Sequence, residues 1–388
     1  MGMETIYLDH NATTPTRPEV IEAMVSVLRE GLANPASQHQ PGQKARRRLE
    51  EARQEVGTLL GAELSGSVPD QVIFTSGGTE ANNLALVGIA LARTGGRPGR
   101  VIVSSIEHAS ILEPAQHLLD LGWRVDTISV DSQGIIRLDQ LADLLRGEAA
   151  VVSLMLGNHE TGVIQPVAEA ARLCQAAGVP LHTDAVQAVG KVPVNFRALG
   201  VDAMSVAAHK FQGPLGIGAL VLRAHTPLTP LLFGGHQQQG LRPGTESVAL
   251  AVGMATALRL AYGEQADHCR RLTALRQRFE QGLAKGYPGL VIHGRNAPRL
   301  PQTSSIAFPG LDGQVLLMAL DMAGVACSVG SACSSGSTEL SPTLLAMGLP
   351  RALVASTLRF SLGATTTGEE IEEAIRRILE VANSLRSS

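Results

Sequence analysis

The sequence predicts an α/β protein in which a mainly parallel sheet is covered by helices on both faces and followed by a smaller α+β unit. Three observations lead there. Short apolar, β-branched runs alternate with helix-length segments through the N-terminal half, and a helical stretch of unusual length follows Glu246. Beyond it the chain returns to a short strand-like run, an amphipathic segment and a final helix. With 388 residues, 44% of them hydrophobic, the chain can fill more than one core.

Helical periodicity covers 17–30 and 43–60. The strand runs are 72–75, 101–104, 151–155, 181–183 and 218–222, most of them separated by helix-length segments, the spacing that parallel pairing requires. Gly95-Gly96-Arg97-Pro98-Gly99 reads as a turn. The long helix reaches about Gln281 and links two domains. After it come a strand at 304–308, an amphipathic helix at 313–322, a Gly/Ser/Cys-rich loop over 328–338 and a helix from Glu369.

Composition excludes several functions. Charged residues are 17% and the net charge is −3, so no global positive field draws the chain to nucleic acid or anionic lipid. The uncharged runs 149–159 and 248–258 fall short of the roughly 20 apolar residues that span a bilayer. The N-terminus, MGMETIYLDHNATTP, has neither the basic start nor the apolar core of a signal peptide, and a cytoplasmic protein is expected. Cys174, Cys269, Cys327 and Cys333 form no CxxC pair and no disulfide framework, and with HExxH absent no metal site is expected.

Three stretches suggest chemistry. Residues 72–80, VIFTSGGTE, give a strand, a glycine turn and a helix start with Thr79 available as cap; free N–H groups there make a phosphate cup, although a plain strand–turn–helix junction accounts for the pattern equally well. Asp184 in LHTDAVQ follows a buried strand, where α/β sheets collect ligands, and either pairs with a protonated ring nitrogen or caps the next helix. Of 32 basic residues only Lys44, Lys191, Lys210 and Lys285 are lysines. Lys191 precedes a Val-Pro strand start, whereas Lys210 lies in an apolar, glycine-rich setting that can make its amine a nucleophile. A cup, a strand-end Asp and one Lys, in this order, form the pattern of a pyridoxal-phosphate enzyme.

The motifs DHNATTP at 9–15, Asn34-Pro35-Ala36-Ser37, Gly-Gly-Thr-Glu at 77–80, Glu107-His108, Asn158-His159-Glu160-Thr161-Gly162, His182-Thr183-Asp184, His209-Lys210, Arg242-Pro243-Gly244-Thr245, Ser331-Ala332-Cys333-Ser334 and Leu358-Arg359-Phe360-Ser361 resemble those of cysteine desulfurases. These belong to the class V aminotransferases, within fold type I pyridoxal-phosphate enzymes. The long Ser/Gly-rich loop resembles their mobile-loop group. The resemblance implies a homodimer with a mostly parallel, mixed sheet in a large domain over 15–260, and a small domain from 1–14 and 261–388. It also implies conversion of L-cysteine to L-alanine, with sulfur left on the enzyme for an iron–sulfur scaffold or sulfur carrier.

Residue by residue, the resemblance makes Lys210 the covalent anchor of pyridoxal 5'-phosphate and the carrier of the Cα proton. Asp184 would keep the ring nitrogen protonated, Gln187 would bond the ring oxygen with His159 nearby, and His108 would stack on the ring as acid and base. Gly78, Thr79, His209 and a partner's Thr245 would hold the phosphate. Asn11, Asn34 and Arg359 would bind substrate, and Cys333 would attack its sulfur. Cys333 also stands out unaided, on a small-residue loop, whereas Cys174 and Cys269 sit on helical stretches and Cys327 ends an apolar run. Ala207, His159, Gln212, His236 and Gln239 depart from the family's usual Ser, Asn, Tyr, Gly and Arg. Selenocysteine lyases share several of these motifs, and a non-catalytic binding protein on the same fold is the alternative from another class.

Overall fold

The structure, a computed structural model, describes residues 5–330 and 340–387. Its main sheet has seven strands in the order Gln71–Thr75, Gly218–Leu222, Ala203–Ala207, Leu181–Asp184, Val151–Ser153, Arg100–Ser104 and Arg124–Ile128. Six strands share one direction, and Gly218–Leu222 runs against both of its neighbours. The expected mostly parallel, mixed sheet is thus present.

Two of these strands lie outside the runs expected from the sequence. Ala203–Ala207 contains one β-branched residue and is a strand because it is wholly buried between two ladders. Arg124–Ile128 is an edge strand with a polar pattern. The run expected at 151–155 closes at Ser153, because the Met155 N–H donates to the Glu107 carboxyl (2.8 Å) instead of a strand. No strand follows Lys191; residues 186–191 form turns.

Helix Gly78–Asn83 continues through a π turn, Leu84–Gly88, into Ile89–Thr94. Such insertions cluster near functional sites. Helices Pro18–Arg29 and Gln40–Leu60 lie where periodicity put them and pack on the long helix Val248–Gly286. Over its 39 residues that helix serves two cores. Val248 to Leu258 join the core under the main sheet, while Leu272, Phe279 and Leu283 join a second core with Ile6, Leu8, Phe308, Leu320, Phe360 and Ile378.

The second core lies on an antiparallel sheet, Thr357–Ser361, Thr303–Ala307 and Val291–Ile292, and on the parallel pair Ile6–Tyr7 and Val325–Ala326. Helices Gly313–Met322 and Gly368–Ser387 complete it. Among the described residues no helix is long and apolar enough to cross a membrane. Ser328 exchanges backbone hydrogen bonds with Arg359, 2.6 and 3.1 Å, but most of the expected loop, including Cys333, lies outside the described residues.

Candidate active site

The glycine turn after Gln71–Thr75 lies flat on the sheet. A Cβ at Gly218 would stand 2.7 Å from the Gly77 carbonyl carbon, so the close approach requires glycine there. A Cβ on Gly77 itself would meet nothing within 4 Å, which leaves that side of the turn open. The N–H groups of Gly78 and Thr79, first in their helix, have no partner among the described residues. Thr79 does not cap the helix: Gly77 holds the cap position, and the exposed Thr79 stands within the first turn. Glu80 closes the turn instead, accepting from the Ser76 N–H at 2.6 Å and from Arg242 at 2.8 Å. Ala207 flanks the cup, 3.4 Å from where a Gly78 Cβ would be.

Asp184 is the last residue of its strand rather than lying beyond it. Its Oδ1 accepts from the Val186 N–H (2.9 Å) and its Oδ2 from Asn82 Nδ2 (2.6 Å). It is 7% exposed and pairs with no cation among the described residues. The same Asn82 nitrogen donates to Ser110 Oγ (2.8 Å), which contacts His108 Nδ1 at 2.8 Å. His108 thereby caps helix Ala109–Asp120 with its own ring, accepting from the Ser110 N–H. His159 stands edge-on to His108, with ring centroids 5.1 Å apart. Burial, followed by the charges of His108, Arg359 and Lys210, holds His159 well below its usual pKa, and its Nδ1 is buried without a partner. Beneath His108, burial pushes the Glu107 carboxyl up to about 8. His182 is a core residue: it bridges Ser153 and Ser205, and burial lowers it to about 3.

Lys210 leaves a short 3-10 turn, Ala208–Phe211, and donates to the carbonyls of Asn11 and of Ala12 (2.8 Å for the latter). Gln212, next but one, takes a left-handed conformation, φ +62°, at a cost of roughly 1 kcal/mol or more. The Asn11 carbonyl also accepts from Gln187 Nε2 (2.9 Å), so one oxygen joins the lysine to the Asp184 turn. Gln187 Oε1 in turn accepts from Lys191 (3.4 Å). This second lysine is missed by sequence reasoning, which read it as a strand flank. Burial and then the Lys210 charge lower Lys191 to about 7. His209 contacts Thr13 Oγ1 (3.1 Å); burial first, then both lysines, lower it to about 4.

Arg359 reaches the site from the middle of Thr357–Ser361, an edge strand of the small antiparallel sheet. Its Nη2 pairs with Asp9 (2.7 Å) and its Nη1 donates to the His159 carbonyl (3.3 Å), while Nε is buried without a partner among the described residues. Asn11 Nδ2 bonds the His159 carbonyl and Thr303 Oγ1, so the arm at 9–14 stitches both sheets together. Two predicted residues are not brought in: exposed Asn34 accepts from the Ala36 N–H (2.9 Å) in its own turn, and Thr245 is exposed away from these contacts. Cys174 is buried, with its thiol raised to about 12, and burial raises Cys327 too. Among the described residues no three metal-binding side chains cluster.

The donor set fits one kind of occupant. Free N–H groups and a hydroxyl at one end suit a phosphate, a buried unpaired carboxylate suits a ring N–H⁺, and an amine stands nearby. The comparisons agree with this geometry. A cysteine desulfurase IscS of Dictyoglomus turgidum is 41% identical over 379 residues, 97% of this chain and 94% of the relative. The structure of a NifS-like protein from Rickettsia africae superposes with a TM-score of 0.88 at 32% identity, covering 98% of this chain and all of the other. A protein named SspA, solved in complex with cysteine, matches with a TM-score of 0.79 at 29% identity, covering 92% of this chain and 99% of its own. Residues 6–374 match the family described as Aminotransferase class-V, and the chain belongs to that family.

Proposed function

We propose that this chain is a pyridoxal-phosphate-dependent cysteine desulfurase that converts L-cysteine to L-alanine and leaves the sulfur on Cys333. The observation that carries the reading is the single Asn11 carbonyl that ties Lys210 to the Asp184 turn, setting an amine and a buried, cation-free carboxylate in one site. Pyridoxal phosphate, bound there, supplies an electron sink for the substrate carbanion. Gly78, Thr79 and His209 hold its phosphate, with Thr245 reaching over from a partner subunit in a homodimer. Asp184 holds a proton on the ring nitrogen. Gln187 and His159 stand on the ring-oxygen side, and His108 stacks on the ring.

Lys210, once released by substrate, takes the Cα proton. Arg359 offers its Nε, without a partner among the described residues, to the substrate carboxylate while Asp9 holds its other edge; Asn11, whose amide bonds the His159 carbonyl and Thr303 Oγ1, frames the substrate by holding the arm in place, and Asn34 would join only by leaving its own turn. The substrate Cβ–S bond then breaks, its sulfur joins the Cys333 thiol as a persulfide, and Cβ gains a proton to give alanine. Thiol plus cysteine becomes persulfide plus alanine, so the step balances without an outside oxidant. The persulfide then passes to a sulfur-acceptor protein such as an iron–sulfur scaffold or carrier.

The test is alanine release from L-cysteine with a reducing thiol present, by wild type, Cys333→Ala and Lys210→Ala loaded with pyridoxal phosphate. Alanine from wild type alone is expected, with each variant lowered by about 10²-fold or more. Sustained turnover by Lys210→Ala, or alanine from selenocysteine but not from cysteine, overturns the assignment.

A further inference from the structure

Asn82, Ser110 and His108 form a directed chain of hydrogen bonds that starts at Asp184. A carboxylate only accepts, so Asn82 must turn its amide nitrogen to Asp184 Oδ2 (2.6 Å). The second hydrogen of that nitrogen goes to Ser110 Oγ (2.8 Å), and Asn82 Oδ1 is left buried without a partner. The reverse amide orientation would set two oxygens against each other at Asp184. Asn82 takes one of the two lone pairs of the Ser110 hydroxyl, and because the Ser110 backbone N–H leaves no proton on His108 Nδ1, the hydroxyl donates its hydrogen to that nitrogen, 2.8 Å away. The Ser110 backbone N–H, which can only donate, meets the same Nδ1 at 3.1 Å. Two donors on one ring nitrogen require a lone pair there, so the proton of the neutral ring sits on Nε2. Asn82, Ser110 and Asp184 are all less than 10% exposed, so no bulk water replaces these contacts.

We propose that Ser110 and Asn82 are positioning residues that couple Asp184 to His108 and fix His108 as the tautomer with its proton on Nε2. Ser110 acts directly on the imidazole. Asn82 acts through Ser110, and the Asp184 carboxylate sets the sense of the whole chain. The proposal rests on the reading that Asp184 and His108 face the cofactor, but the tautomer itself is a property of the protein alone.

The experiment is long-range ¹H–¹⁵N NMR of ring-labelled histidine in the full-length protein, with and without pyridoxal phosphate, on wild type, Ser110→Ala and Ser110→Thr. His108 in wild type is expected to show an unprotonated Nδ1 and a protonated Nε2. Ser110→Ala, which keeps the backbone N–H on Nδ1, should leave the proton on Nε2 but shift the Nδ1 resonance toward a weaker hydrogen bond and lower kcat about 10-fold, as loss of an outer partner does elsewhere, with KM changed less than kcat. Ser110→Thr should restore both. A wild-type ring protonated on Nδ1, or resonances and kcat unmoved in Ser110→Ala, overturns the proposal. Failure to bind pyridoxal phosphate through Lys210 would instead overturn the functional reading, because the tautomer is measured without the cofactor as well.

Discussion

The floor of the site and its rim are joined by contacts of different reach. On the floor, Asp184 ends a strand, His108 and Ser110 stand at a helix start and Asn82 lies in the helix after the glycine turn, and the longest step among them spans 102 residues of sequence. On the rim, Asp9 meets Arg359 across 350 residues and Asn11 meets Gln302 across 291, both through an arm that is not itself part of the main sheet. Hydrogen bonds running from the Asp184 carboxylate direct protons on the floor, where rigid elements already fix each side chain. Ion pairing and one buried asparagine hold the rim, where segments that pack on two separate cores must first be brought together. The difference teaches that loss of a floor residue should change chemistry first, whereas loss of a rim residue should change stability first.

Asp9→Ala tests the rim most severely. It leaves Arg359, 4% exposed, without its carboxylate, and removal of one member of a buried pair costs roughly 3–5 kcal/mol. Because Asp9 is 16% exposed, a loss near 3 kcal/mol is expected by denaturant titration. A loss below about 1 kcal/mol, the range of surface pairs, would break the comparison. Asn11→Ala comes next. It strips partners from Thr303 Oγ1, the His159 carbonyl and Gln302 while leaving the backbone oxygen that serves Lys210. About 2 kcal/mol should be lost, with cofactor binding weakened less than stability.

On the floor the third prediction concerns pH. Glu107, raised to about 8 by burial, is a neutral acid in the folded protein and a carboxylate in the unfolded chain between its usual 4.5 and that value. The folded state therefore holds the extra proton, and this group makes stability fall as pH rises through that window. Glu107→Gln should remove the decline and melt about 3 °C above wild type near pH 8, measured by thermal unfolding. Parallel pH profiles for the two proteins would show that the carboxyl ionises freely.

How much of this was legible in the sequence differs between the two regions for the same reason. Asp184 ends a buried strand and the glycine cup follows one, so local pattern marks both, whereas His108 was marked only by the resemblance. Lysine scarcity singled out Lys210. Arg359 sits mid-strand in Thr357–Ser361, a run that no local pattern marked, and only resemblance to a family pointed to it. Asn82 and Ser110 carry no signal of their own: each is a single polar residue whose partners arrive from other elements. Lys191 was set aside because its neighbours read as a strand start, whereas the turn that actually forms there brings it back to Gln187.

Lys191 also supplies the smallest and most discriminating prediction. The group that acts on it by charge is Lys210, its own charge acts on His10 and His209, and no carboxylate pairs with it among the described residues. Lowered from 10.5 to about 7, it is neutral in the folded protein over a range where the unfolded chain keeps it charged. The unfolded state then binds more protons, so this lysine makes stability rise with pH between about 7 and 10.5. His10 and His209, both near 4, have finished titrating below that window and contribute nothing to the slope there. Lys191→Met, which keeps the length of the side chain, should abolish the rise and change the melting temperature by about 1 °C at pH 9.5. An unchanged slope would mean that Lys191 stays solvated and charged, and that the amine end of the floor contains one lysine rather than two.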